Sequence, residues 1–381
     1  CSGRPLSEVD GELLDALRLG SYQLLRTRVP PHAAVATTVD LVRAGRGSAA
    51  AGFVNAVLRR VGRQDEDAWV QVVAPSADED PVGHLAMVHS HPRWIAQAFA
   101  DALGGDFDEL AEALAADNAR PLVHLAARPD QLSAAELASV TGGKPAPYSP
   151  YGVHLADGGD PGELSAVRDH LAHVQDEGSQ LVALALTGVP LEGADARWLD
   201  LCAGPGGKAA LLGALGATRG AILEAVEKAE HRARLVKQAC AGLPVTVHTV
   251  DGRDSGLPER AYDRVLVDAP CTGLGALRRR PEARWRRRAD DLPGLVRLQR
   301  ELLVAALRLV RPGGVVAYVT CSPHVDETVT VVADMMRRTG AKQLDARSWF
   351  PGVPRLGDGP HVQLWPHRHG TDAMFCALLK R

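Results

Sequence analysis

The chain reads as an α/β protein: an open, largely parallel sheet in its second half, preceded by an all-helical unit and a small mixed connecting module. Three observations predict this. After residue 197, short apolar runs rich in Val, Ile and Leu alternate with stretches of helical periodicity, the pattern of strands joined by crossover helices. Before residue 64 the apolar positions recur at helical spacing only. Between these stretches the two patterns mix without regular alternation.

Leu13, Leu14, Leu17, Leu24 and Leu25 lie on one face of a first helix, and Pro30-Pro31 ends it. A second helix runs through Val35, Val39 and Val42, and Gly45 and Gly47 break it before Phe53-Val54-Asn55-Ala56-Val57-Leu58-Arg59-Arg60. The polar interval 75–81 reads as a linker. Helices are expected over 92–103 and 107–118, a strand over 121–127, a short helix over 133–140 and turns over 142–150. The sheet then takes strands at 198–202, 221–226, 245–250, 265–268 and 315–320, with helices after Gly207 and over 228–240 and 295–309. Segments 363–365 and 373–379, joined by a His/Gly-rich turn, read as a closing antiparallel hairpin. The expected domains are 1–74, 82–172 and 173–381.

With 381 residues there is room for two or three cores. No apolar run approaches the ~20 residues of a membrane span, and Cys1-Ser2-Gly3-Arg4-Pro5 lacks a signal pattern, so cytoplasm is the expected compartment. The six cysteines include no Cys-x-x-Cys pair or zinc-like spacing, and no metal is expected. Cys240 and Cys376 read as small buried hydrophobes. The net charge of −3 conceals a local run of Arg278, Arg279, Arg280, Arg284, Arg286, Arg287 and Arg288 against the single acid Glu282. Such a run suits an anionic backbone, although a solvated helix face has the same composition.

In an open parallel sheet, ligands collect beyond the carboxyl ends of the strands, and the unusual residues fall there. The first strand runs into Cys202-Ala203-Gly204-Pro205-Gly206-Gly207-Lys208, a glycine loop that lets backbone approach a ligand and opens a helix N-terminus. Glu227 ends the second strand, where it can accept hydrogen bonds from ribose hydroxyls, and Asp251 after the third can meet an adenine amine. This describes an adenosine site without deciding a reaction, and a nicotinamide dehydrogenase fits it too.

The next two strand ends carry Asp268-Ala269-Pro270-Cys271-Thr272-Gly273 and Thr320-Cys321-Ser322-Pro323. Two thiols on adjacent loops can reach one substrate. A thiolate adds to C6 of a pyrimidine, which makes C5 nucleophilic enough to attack a methyl sulfonium. Asp268 can bond a cytosine edge as charge develops there. Two structural cysteines or a redox couple are the plainer readings of the same pair.

These motifs together, with Gln175-Asp176-Glu177-Gly178-Ser179-Gln180, Asp251-Gly252-Arg253 and Arg280-Pro281-Glu282-Ala283-Arg284-Trp285, closely resemble the Nol/Nop/Sun RNA cytosine-C5 methyltransferases from residue 174 onward. Arg28-Val29-Pro30-Pro31-His32-Ala33-Ala34-Val35 and Gly52-Phe53-Val54-Asn55 resemble the NusB-like domain of the bacterial Sun/Fmu (RsmB-like) branch, whose members methylate a cytosine in small-subunit 16S rRNA. The resemblance implies a Rossmann-like S-adenosylmethionine-dependent methyltransferase domain behind a NusB-like helical RNA-binding domain. It makes Cys321 the nucleophile, Cys271 the cysteine that resolves the covalent adduct, and Asp268 the residue at the cytosine edge. It assigns S-adenosylmethionine to Cys202, Ala203, Gly204, Pro205, Gly206, Gly207, Lys208, Glu227, Asp251 and Asp268. Arg278, Arg279, Arg280, Arg284 and Arg286 are the expected RNA contacts.

Against the family pattern, Gly204 stands where Ala is commoner, Ala209 where Thr is common, and Glu227 replaces a frequent Asp. The NusB-like unit is short at its start, so an N-terminally incomplete domain is expected. The expected partner is small-subunit rRNA and the expected state a monomer. The same reaction on tRNA, or a non-catalytic RNA-binding factor on a vestigial cofactor fold, are the alternatives.

Overall fold

The computed structural model describes residues 1, 3, 5–155 and 159–381; Ser2 and Arg4 of the opening run lie outside the described residues, as do 156–158 of the connecting module. The chain divides into two compact units, Cys1–Val88 and His89–Arg381.

The first unit is helical. Asp10 caps α1 (Gly11–Arg26) by accepting the Glu12 N–H at 3.0 Å. Pro31 opens α2 (Pro31–Val61), which bends at Gly47 (φ 82°) and continues. The two helices expected on either side of Gly45 and Gly47 thus run end to end. Leu17 packs with Val39, Val42, Val54, Val57 and Leu58 in the core. Two shorter helices follow, α3 (Glu66–Val73) and α4 (Pro81–Val88). The 75–81 interval lies inside this unit, and its last acid, Asp80, accepts the Gly83 N–H of α4 at 3.0 Å.

The second unit opens with α5 (Arg93–Ala102) and α6 (Phe107–Ala116). Next come β1 (Val123–Ala127), α7 (Ala134–Thr141), β2 (Lys144–Pro145), β3 (Gly152–Leu155), α8 (Ser165–Arg168) and β4 (Ala172–Val174). The four strands form an antiparallel sheet in the order β2-β3-β1-β4. After α9 (Glu177–Gly188) the main sheet begins, with β5 (Arg197–Asp200), α10 (Gly207–Thr218), β6 (Ile222–Val226), α11 (Glu230–Ala239), β7 (Val245–His248) and β8 (Tyr262–Asp268). It continues through α12 (Ala283–Arg286), α13 (Leu292–Leu309), β9 (Val310–Thr320), α14 (Val329–Thr339) and β10 (Lys342–Leu344). β11 (Val362–Gln363), α15 (Pro366–His369) and β12 (Phe375–Lys380) complete the chain. The closing segments are antiparallel, but α15 replaces the simple turn, and β12 pairs along most of β9 as well as with β11.

The eight-stranded sheet has the order β10-β12-β9-β8-β5-β6-β7, with β11 on β12. β9, β8, β5, β6 and β7 are parallel, and β12 joins β9 antiparallel. Alternate residues face opposite cores: Leu266 and Ala317 pack on one side, Val265, Val267, Val316 and Tyr318 on the other. Progression along the sheet reverses between β5 and β8, which opens a crevice beyond their carboxyl ends. Among the described residues no helix is long and apolar enough to cross a membrane.

Candidate active site

The crevice is built from strand ends. Beyond β5 the backbone stays tied to its neighbours, Leu201 N–H to Leu266 O and Ala203 N–H to Val226 O, both at 2.9 Å. The chain then turns through Gly204-Pro205-Gly206 into α10. Gly206 has φ 118°, and a Cβ there would stand 2.8 Å from Ala239 Cβ, so α11 packs against this turn only because the position is glycine.

Glu227, at the end of β6, is buried and turned onto the loop. It accepts the Gly204 N–H at 3.1 Å and the Ala229 N–H at 2.9 Å, and Arg232 lies beside it at 3.5 Å while donating to the Gly204 carbonyl. A Cβ at Gly204 would overlap Glu227 Oε2. Two of the three departures from the family pattern, Gly204 and Glu227, are therefore in contact: the longer acid occupies space that the glycine vacates. Asp251, beyond β7, is held by Lys228 Nζ and Arg253 Nη2 at 2.9 and 2.8 Å, and Arg253, then Lys228, hold its carboxyl well below the ordinary range.

Lys208, in the first turn of α10, reaches across to Asp268 at the end of β8, Nζ to Oδ2 2.8 Å. Burial works against the ammonium, but Asp268 outweighs it and raises the Lys208 pKa. Asp200, the last residue of β5, is fully buried nearby. One of its oxygens accepts the Cys202 N–H at 3.3 Å, and Oδ2 has no partner among the described residues. Burial, then Asp268, push its pKa up to about 7. The neighbouring Cys202 thiol is pushed well above its usual value by burial and by Asp200.

The two cysteines meet. β8 and β9 run parallel with Asp268 opposite Val319, so the loops leaving both strands start level. Cys271 Sγ and Cys321 Sγ are 3.4 Å apart, and the Gly275 N–H bonds the Cys321 carbonyl at 2.9 Å. The hydrogen bond with Cys321, then burial, raise the Cys271 thiol well above its ordinary pKa.

Two adjoining cavities, of about 490 and 420 Å³, share Cys202, Gly204, Asp268, Gly273, Arg287 and Cys321 in their walls. The first continues to Glu227 and Asp251, the second to Gln175, Asp176 and Lys208. Gln175, whose Nε2 has no partner among the described residues, gave no signal in sequence beyond the motif it begins.

The arginine run does not act as one surface. Arg278 and Arg279 both clamp Asp176 and Asp372 at 2.9–3.1 Å, and Arg284 is buried against Asn118 Oδ1 and Asp117 O at 2.7 and 2.8 Å. These three thus have internal partners in the free protein, and Arg279 also lines the second cavity. A clustered positive sequence attracts internal acids as readily as phosphates. Arg280, Arg286 and Arg287 are exposed and have no ion pair among the described residues, and Trp285 between them is largely exposed.

A family model described as 16S rRNA methyltransferase RsmB/F matches residues 189–380, and a NusB family model matches residues 1–63. The chain belongs to the RsmB/F 16S rRNA methyltransferase family. The Mycobacterium tuberculosis (strain H37Rv) protein Rv1407 is 61% identical over 374 residues, spanning 98% of this chain and 81% of that one. Ribosomal RNA small subunit methyltransferase B of Pseudomonas putida is 34% identical over 355 residues, 90% of this chain and 77% of that one. Two crystal structures share the fold. PH0851 has a TM-score of 0.79 at 24% identity over 100% of this chain and 84% of that one. NSun6 from Pyrococcus horikoshii has a TM-score of 0.64 at 20% identity over 76% and 98%.

This RsmB/F member is an S-adenosylmethionine-dependent methyltransferase, and its residues fit that cofactor. One cavity runs from Cys202 and Gly204 of the loop to Glu227 and Asp251, and Asp200 offers a buried side-chain oxygen with no partner among the described residues.

Proposed function

We propose that this RsmB/F member methylates C5 of a cytosine in 16S small-subunit rRNA through a covalent adduct on Cys321, and that it does so in the cytoplasm as a monomer. The 3.4 Å approach of Cys271 to Cys321, beside the Lys208–Asp268 pair, carries the reading. S-adenosylmethionine, held by the 202–208 loop, Glu227 and Asp251, supplies an electrophilic methyl group on a sulfonium.

The Cys321 thiolate adds to C6, forming the S–C6 bond and moving electron density toward C5 and the N3/O2 edge. Asp268 bonds the N3/N4 side of the base, and the Lys208 ammonium beside it offsets the developing negative charge. C5 takes the methyl group as the sulfonium becomes a neutral thioether, then gives its proton to water or a nearby basic side chain, and the C6–S electron pair returns to Cys321 as the ring regains its C5=C6 double bond. A neutral Cys271 thiol is placed to hydrogen-bond the departing Cys321 sulfur, which is how it would resolve the adduct. The target base must leave its stack to expose C6. Arg280 and Arg287 in the cavity walls, and the exposed Arg286 next to them in the chain, supply phosphate contacts, with Trp285 as a stacking face. The NusB-like helical unit adds RNA contacts around its cleft of about 720 Å³, where His32, Arg43, Asn55 and Arg59 gather. The family and its named relatives favour rRNA over tRNA as substrate.

The test uses a small-subunit rRNA transcript and labelled S-adenosylmethionine. Cys321→Ala should lose turnover by on the order of 10³-fold or more while cofactor binding persists. Cys271→Ala should accumulate a nuclease-sensitive protein–RNA adduct on a denaturing gel, absent from the double variant. Full turnover in either single variant would remove the two-cysteine mechanism.

A further inference from the structure

We infer that Glu327 is a positioning residue for both cysteines: its buried carboxylate ties the loop that carries Cys271 to the loop that carries Cys321. The inference rests on the two-cysteine reading and adds a residue to it.

Thr272 directly follows Cys271 and Ser322 directly follows Cys321. Glu327 Oε1 accepts the Thr272 N–H at 2.8 Å and Gln299 Nε2–H at 2.9 Å, and Oε2 accepts the Thr272 hydroxyl. Thr272 Oγ1 and Ser322 Oγ are 3.1 Å apart, and Ser322 Oγ accepts the His324 N–H at 3.2 Å. Gln299 Nε2 also donates to Pro270 O at 2.9 Å, and the Glu327 carbonyl accepts the Tyr318 hydroxyl at 2.8 Å. Glu327, Thr272, Ser322 and Gln299 are all buried.

The donors fix a direction. With the Thr272 hydroxyl committed to the carboxylate, Thr272 Oγ1 is left to accept from the Ser322 hydroxyl, so both loops hang on one anion. A carboxylate taken out of water is a costly way to fill a core, and an apolar side chain of that size closes the space for less. What the anion adds is a fixed spacing between the two loops, and negative charge on the Cys271 side. The titratable groups facing Cys271 are Cys321, Glu327, Asp268 and Tyr318. After Cys321 and burial, Glu327 helps hold Cys271 as a neutral thiol, which separates its role from that of Cys321.

The experiment compares the full chain with Glu327→Gln, Glu327→Ala and Cys321→Ala. It measures S-adenosylmethionine affinity, kcat and KM on rRNA transcript, and the iodoacetamide alkylation rate of each cysteine against pH by peptide mass spectrometry without RNA. A Gln side chain keeps an oxygen for Thr272 N–H and Gln299 and can donate to Thr272 Oγ1, so kcat should stay within about tenfold. Cys271 alkylation should begin at lower pH, because a negative neighbour is gone. Glu327→Ala should lower kcat by about 10²-fold, the scale of a small misplacement of reacting groups, with KM and cofactor affinity nearly unchanged. If Glu327→Ala does not fold, Thr272→Val takes its place, since it cuts the hydroxyl link and keeps the N–H; kcat should fall and the alkylation profile should change. Parental kcat and parental alkylation profiles in Glu327→Gln together with either other variant overturn the inference. Activity in Cys321→Ala instead sinks the two-cysteine reading, while the alkylation profiles still report on the clamp.

Discussion

Cys271 and Cys321 are fifty residues apart in the chain and 3.4 Å apart in space, whereas the arginines between 278 and 288 are adjacent in the chain and scattered in space. Arg278 and Arg279 turn inward to Asp176 and Asp372, Arg284 points to α6, and Arg280, Arg286 and Arg287 face out. The cause is geometric. Parallel register puts the ends of neighbouring strands level, so residues that follow them converge whatever their sequence separation. Helical and 3₁₀ turns rotate each successive side chain by about 100° or more, so a dense cluster in sequence is dispersed around an axis. A functional site can therefore be read from strand ends more safely than from a charge run.

The arginines offer the largest test of that difference. Arg278, Asp176 and Asp372 have side chains only 8%, 7% and 10% exposed. Arg278→Ala leaves two buried carboxylates short of a partner and should cost about 3–5 kcal/mol of stability, seen as an early thermal transition. Arg280→Ala and Arg287→Ala should change stability by no more than about 0.5 kcal/mol. Each should instead weaken RNA binding and reduce its salt slope by about 1. If Arg278→Ala melts with the parent and loses RNA affinity, the arginine run is one surface after all.

Convergence also buries acids beside one another: burial, then Asp268, raises the pKa of Asp200. Its folded pKa of about 7 lies above the ordinary 3.8, so the folded state binds the proton more tightly than the unfolded chain. That contribution to stability is complete below about pH 4 and is lost as pH rises to about 7, by at most about 4 kcal/mol. Asp200→Asn cannot ionise, so its melting temperature should gain on the parent from pH 5 to about pH 7 and level off above it, in the absence of cofactor. A difference independent of pH would mean that Asp200 is charged throughout and that the strand ends are wetter than their packing implies.

Much of this was legible in the sequence, for reasons particular residues make plain. The parallel strands announced themselves because β8 and β9 are buried on both faces and so read as apolar runs. The glycine loop and both cysteine motifs were legible because a turn at a strand end leaves few residue choices. β3 and β4 were not, since Gly152–Leu155 and Ala172–Val174 are too short to show a period and gain their pairing from β1. Asp200, Gln175 and Glu327 were passed over because nothing in a sequence tells a buried acid or amide from an exposed one. The internal use of Arg278, Arg279 and Arg284 depends on acids and carbonyls between 92 and 167 residues away.

The smallest effect concerns the space that convergence requires. At the first strand end the Gly204 N–H donates to Glu227 Oε2 at 3.1 Å, and a Cβ on residue 204 would overlap that same oxygen. Gly204→Ala should push the carboxylate off the loop. Glu227→Asp should withdraw it by one methylene and lose the same hydrogen bond. Each change alone should cost about 1–2 kcal/mol of S-adenosylmethionine affinity by calorimetry. Together they should cost less than their sum, with a coupling of about 1 kcal/mol, because the shorter acid no longer meets the added methyl group. Additive costs would show that residues 204 and 227 reach the cofactor independently, and that the pairing of a glycine with a longer acid at this strand end has no energetic content.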